Sequence, residues 1–98
     1  MYKLVLTEPF LNRFKKISSR NNNLKQKIYK TLRRLIVDPY YPSLRSHKVQ
    51  TRKHGIRWSS RITGDNRVIW DYLENKKLVI IILDIGGHSG KGRVYKNK

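Results

Sequence analysis

The chain contains no cysteine, which removes disulfides, thiolate nucleophiles and thiolate metal sites, and with them the framework that staples small secreted domains. A reducing, cytoplasmic setting fits that composition. Acidic residues are scarce as well: six Asp and Glu face 23 Lys and Arg, a formal net charge of +17. Self-repulsion of that size opposes compaction unless a polyanion or an acidic partner offsets it, so nucleic acid is the first ligand class to consider. The few carboxylates are dispersed, no His-x-x-x-His or Asp-x-Asp spacing occurs, and the three histidines stand apart, so neither a metal nor a cofactor is expected. No apolar run approaches the roughly 20 residues of a membrane span, and residues 2–6 meet Thr7-Glu8-Pro9 too soon for the apolar core of a secretion signal. A soluble protein without a membrane partner is the expectation.

What is present reads as one domain. Ninety-eight residues can bury one core and not two, so 1–98 are taken together, with Lys96-Asn97-Lys98 expected to fray. Residues 2–6 alternate at period two and suit a first strand; Thr7 then stands at a helix N-cap, with Glu8 and Pro9 in the first turn. Phe10, Phe14 and Ile17 form one helical stripe, and Leu24, Ile28, Leu32, Leu35 and Ile36 form a second after the Asn21-Asn22-Asn23 break; Asp38-Pro39 ends it. The pattern then turns to strands over 44–50, 56–63, 67–73 and 78–85, with Gly64-Asp65-Asn66 and Asn75-Lys76-Lys77 as hairpin connections. Val79-Ile80-Ile81-Ile82-Leu83 suits a strand covered on both faces and is placed at the centre of the sheet. The order β-α-α-β-β-β-β gives an α+β domain, with a basic helical hairpin on one face of a mainly antiparallel sheet and the other face open for binding.

The charges are unevenly spread. No acid stands between Glu8 and Asp38, so the helices present a cationic surface suited to phosphate backbone. None stands between Asp38 and Asp65 either, where Arg45, His47, Lys48, Arg52, Lys53, His54, Arg57 and Arg61 do. Trp58, Trp70 and Tyr72 interleave with that stretch; such rings can stack single-stranded bases, though Trp70, beside Ile69, suits the core better. The end, Gly86-Gly87-His88-Ser89-Gly90-Lys91-Gly92-Arg93-Val94-Tyr95, is glycine-rich enough for close substrate approach but lacks the Walker spacing. With metals set aside, RNA offers a route through its own 2′-OH: a base takes that proton, an acid protonates the 5′-oxygen, and cations stabilise the phosphorane. Arginine, lysine, histidine and tyrosine supply those functions.

The segment Gly55-Ile56-Arg57-Trp58-Ser59-Ser60-Arg61-Ile62-Thr63, followed by Arg67-Val68-Ile69-Trp70, resembles the G-x-x-W-S-x-R-I-T core of YoeB-like toxins in the RelE/ParE superfamily. The close of the chain, an apolar strand, a glycine-flanked histidine and Val94-Tyr95, is similar to RelE-type endings. The resemblance implies a microbial-RNase-like fold, ribosome-dependent cleavage of mRNA to a 2′,3′-cyclic phosphate and a 5′-hydroxyl, and a cognate antitoxin, expected to be acidic. It places the phosphorane-stabilising arginine at Arg67, a phosphate contact at Arg61, proton transfer at His88 and the RNA-orienting tyrosine at Tyr95. YoeB-like members carry a catalytic glutamate where this chain has Tyr41-Pro42-Ser43-Leu44, so the base is left to His47, His88 or a lysine such as Lys48, or to none. Arg45, Lys48, Arg57, Trp58, Lys91 and Arg93 complete the expected RNA-binding set. Two rivals stand beside this reading: a ParE-like gyrase poison on the same fold, which generally lacks both the histidine and the W-S-x-R-I core, and a basic RNA-binding protein without chemistry.

Overall fold

The computed structural model describes residues 1–74, 76–87 and 93–96. Strand β1 (Lys3–Leu6) leads into helices α1 (Glu8–Ser18) and α2 (Asn22–Val37), then a 3-10 turn at Pro42–Leu44, and strands β2 (His47–Gln50), β3 (Ile56–Arg61), β4 (Asn66–Leu73) and β5 (Lys76–Gly87). The sheet order is β1-β5-β4-β3-β2; β1 runs parallel to β5 and every other pairing is antiparallel. This is the expected α+β arrangement, with one change of position. The apolar strand β5 is interior, paired on both sides as its composition requires, but β4 holds the centre, because the helical crossover returns β1 to the far side of β5.

Both helical stripes land on one face of the sheet. Phe10, Ile28, Leu35, Leu44, Val68, Trp70, Ile80, Ile82 and Ile85 form the core, each 0–1% exposed, with Phe14, Ile17, Leu24 and Leu32 packed against it. Ile82 and Ile85 both reach this core because Leu83 is an extra residue in β5: Ile69 pairs with Asp84 but Trp70 with Ile82. Local signals act partly as read. The Asn21 side chain accepts from the Leu24 N–H at 2.9 Å and starts α2. Thr7 stands at the N-cap of α1 but does not cap it; its hydroxyl donates to the Ile82 carbonyl at 2.6 Å, tying the helix start to β5.

Two expectations are corrected. The strand expected over 44–50 begins only at His47, because Leu44 is drawn into the core by the 3-10 turn and Arg45 takes a left-handed φ of 48°, which interrupts an extended run. The face away from the helices is not open throughout. Ile69, Thr51, Ser59, Asp84 and Val94 are all buried, and strand alternation sets Ile69 opposite the core-facing Trp70. The cover is the chain's own end: the Val94 N–H donates to Gly87, the Arg52 N–H to Val94 and the Lys96 N–H to Gln50. Lys96, expected to fray, is thus held by its backbone; residues 97 and 98 lie outside the described residues.

Candidate nucleic-acid interface

Alternation along β3 turns Trp58 and Ser60 toward the helices and Arg57, Ser59 and Arg61 to the opposite face. Register then assembles a patch from four strands. Arg61 stands directly opposite Arg67, and Ser59 is flanked by His47 on β2 and Ile69 on β4, with Asp84 of β5 next in the row. Tyr95 joins from the terminal segment, its phenol 2.7 Å from the Ser59 hydroxyl. His47, Arg61, Arg67 and Tyr95, four of the five residues assigned to catalysis from sequence, therefore share one face. The fifth, His88, lies outside the described residues, as does Lys91.

Each of these groups is held differently. Arg67 donates through one terminal nitrogen to the carbonyls of Thr63 (2.6 Å) and Asn66 (3.1 Å), which orient the guanidinium without cancelling its charge. Arg57 donates to the His54 carbonyl at 2.8 Å and meets Asp71 at 3.2 Å, so its charge is countered. His47 donates from Nδ1 to the Arg45 carbonyl at 2.7 Å, leaving Nε2 as the exposed ring nitrogen. Arg45 itself is exposed at the left-handed corner before β2. Arg93 bridges to Gly87 and so follows the end of β5. Arg61 also borders a cleft of about 220 Å³ beside Lys27, Lys30 and Arg34 of α2.

Lys48 and Trp58 fall elsewhere. They pair with each other across β2 and β3 on the helix side, the ammonium 5.6 Å from the ring centroid. Trp58 stacks on Trp70 at 5.5 Å and meets the edge of Tyr40 at 5.4 Å. Its motif position is thus occupied by packing, in an aromatic group remote from the Arg61 and Arg67 face.

Sequence reasoning missed a further pair. His54 Nε2 lies 3.3 Å from Asp84 Oδ2, joining the β2–β3 loop to β5 across the patch. Thirty positions separate the two residues, and no spacing links them. The available signal was Asp84 itself, a carboxylate inside an apolar run, which burial obliges to find donors. Among the described residues no group of three or more His, Cys, Asp or Glu gathers to hold a metal ion. What the face offers is two arginines in cross-strand register, an oriented imidazole and a phenol, the functions that anion binding and proton transfer at a phosphodiester require.

No protein-family model and no curated protein matches the sequence. Solved structures do match the fold. A YoeB/ParE toxin from Agrobacterium tumefaciens superposes with a TM-score of 0.69 at 18% identity, covering 89% of this chain and 99% of that one. YafQ from Escherichia coli gives 0.65 at 16% identity over 89% and 93%. The YoeB–YefM complex from Staphylococcus aureus gives 0.63 at 16% identity over 87% and 94%. The fold is that of the YoeB and YafQ toxins, as the motif resemblance implied.

Proposed function

We propose that this chain is the toxin of a type II toxin–antitoxin pair and that it cleaves mRNA on the ribosome in the cytoplasm without a metal, leaving a 2′,3′-cyclic phosphate and a 5′-hydroxyl. The observation that carries the reading is the cross-strand pair Arg61–Arg67 with His47 and Tyr95 on the same face. Like charges placed directly opposite on a sheet disfavour folding, and an anion between them reverses that cost. In this mechanism the two guanidiniums grip the scissile phosphate, and Arg67 stabilises the phosphorane. Tyr95 orients the RNA, while histidines serve proton transfer, His47 on this face among them. The charge of +17 also suits a tight acidic antitoxin, which would relieve self-repulsion while shielding the patch; YoeB, a protein of the same fold, is found in a toxin–antitoxin complex with YefM.

The test is in vitro translation of a defined mRNA with wild-type protein and Arg67→Ala, mapping 5′ ends. Codon-linked cuts are expected from wild type, and the variant should lose about a hundredfold or more in rate, the usual cost of removing one charge-stabilising donor. Absence of cuts, with plasmid supercoiling lost in a parallel gyrase assay, would replace this reading by the gyrase-poison alternative. Cleavage unaffected by Arg67→Ala would remove the arginine from the mechanism.

A further inference from the structure

We propose that His54, held by Asp84, is the general base that takes the 2′-OH proton, filling the role left by the missing glutamate. The inference rests on the nuclease reading above. Asp84 is 5% exposed, yet it is matched with donors: Oδ1 accepts the Ile85 N–H at 2.8 Å and Oδ2 faces His54 Nε2 at 3.3 Å. A carboxylate only accepts, so the neutral ring carries its proton on Nε2 and presents the Nδ1 lone pair, which has no partner among the described residues. This is how an aspartate fixes the tautomer of a catalytic histidine.

The main chain of His54 is pinned on both sides. Its N–H donates to the Thr51 hydroxyl at 2.9 Å and its carbonyl accepts from Arg57, whose guanidinium is in turn anchored on Asp71. The ring is therefore placed by the fold and does not depend on a free loop. Burial of the pair is graded in the way a base requires, with the histidine side chain 20% exposed over a carboxylate that is 6% exposed. His54 lies at the margin of the patch, beside a row that the terminal segment partly covers. The row His47–Ser59–Ile69–Asp84 crosses the sheet, and three strand spacings of about 4.8 Å put its ends about 14 Å apart at the backbone. The Tyr95 phenol meets the Ser59 hydroxyl within that row, and His54 is tied to its Asp84 end.

In the step proposed, His54 Nδ1 takes the 2′-OH proton as the 2′-oxygen bonds to phosphorus. The bond from phosphorus to the 5′-oxygen breaks, and that oxygen takes a proton from His47 in its protonated form. One proton is gained by His54 and one lost by His47, and the cyclic phosphate and 5′-hydroxyl account for all atoms.

His54→Gln is the informative variant, because its amide can still donate to Asp84 and so keeps the clasp while removing the base. In the translation assay it should lose about 10²-fold or more in cleavage rate with an unchanged melting temperature. His54→Gly should be inactive and partly restored by added imidazole. Adding Asp84→Asn to His54→Gln should cost nothing further in cleavage rate, since the carboxylate acts through the ring. In the wild-type protein, ¹⁵N chemical shifts of the His54 ring should report the Nε2–H tautomer. Cleavage by wild type with His54→Gln within twofold of it overturns this proposal and leaves the nuclease reading standing; so does the Nδ1–H tautomer. Absence of cleavage by wild type overturns both.

Discussion

Changing Ser60 to alanine tests whether the W-S-S-R motif is structural at its second serine. The Trp70 indole N–H donates to the Ser60 hydroxyl at 2.7 Å, and both residues are fully buried. Ser60 lies 2.6 Å from the Ser46 hydroxyl, which donates to the Pro39 carbonyl at 2.6 Å. Because Ser46 gives its proton to the carbonyl, Ser60 must donate to Ser46, and the three bonds run one way from sheet to loop. Such a chain is polarised along its length, and its loss strands a buried donor. Leaving the indole N–H unpaired costs about 1–3 kcal/mol. A cost near 2 kcal/mol lowers the melting temperature by roughly 10 °C in a domain this small. Urea unfolding followed by Trp58 fluorescence measures it, as a lower midpoint at unchanged slope. Trp70→Phe supplies the control, since no N–H remains to be orphaned and Ser60→Ala should cost at least about 1 kcal/mol less on that background. Equal costs on both backgrounds would show that the indole bond is not what the serine provides. His47 follows Ser46 directly, so Ser60→Ala should also weaken the placement of that imidazole at the start of β2.

Two further outcomes follow from single residues. Burial, followed by the hydrogen bond that its hydroxyl makes to Tyr40 at 2.6 Å, pushes the Tyr72 phenol well above its ordinary value of 10. The unfolded chain then ionises first, so stability is fully present below about pH 10 and declines as pH rises beyond it; Tyr72→Phe should flatten that alkaline decline in melting temperature, and an unchanged decline would exclude Tyr72 as its source. Gly55 holds φ of +73° with nothing within 4 Å of a built Cβ, so Gly55→Ala should cost about 1 kcal/mol through backbone strain alone; a neutral result in thermal unfolding would mean that the loop relaxes to negative φ without loss.

The parts of the fold legible in the sequence are those set by periodicity. The stripes Phe10-Phe14-Ile17 and Leu24-Ile28-Leu32-Leu35 specify faces, and burial follows because those faces have one place to go. Asn21 was legible as a break and acts as a cap. Less legible was anything decided by a partner far along the chain. Thr7 has a strong N-cap preference, yet its hydroxyl bonds 75 positions away, where β5 runs alongside. Leu44 looked like a strand residue because an isolated leucine does not distinguish a strand from a buried turn. Trp58 carried the charge pattern of a stacking platform, but the parity of β3 turns it to the helix side, and a shift of one residue would have reversed that. The terminal cover over Ile69 could not be read at all: the Val94 and Lys96 backbone bonds reach β5 and β2, and no local composition encodes them.

Charge alone did not separate the arginines, and geometry does. Arg57 belongs to the same face as Arg61 and Arg67, yet Asp71 meets it at 3.2 Å and the His54 carbonyl takes its Nε–H, so it is matched within the protein. Among the described residues Arg67 is held by two carbonyl oxygens, which carry partial charge and orient one terminal nitrogen while its full positive charge remains. Arg61 stands opposite it at the end of the β3–β4 hairpin. Two cations in direct cross-strand register cost of the order of 0.2–1 kcal/mol relative to a neutral pair. That expense serves no packing purpose, since neither residue belongs to the core. A bound phosphate would turn the repulsion into two charge-assisted contacts. The same reasoning sets Arg57 aside as a clamp for the His54 loop: its removal should disturb the loop first and anion binding only in consequence.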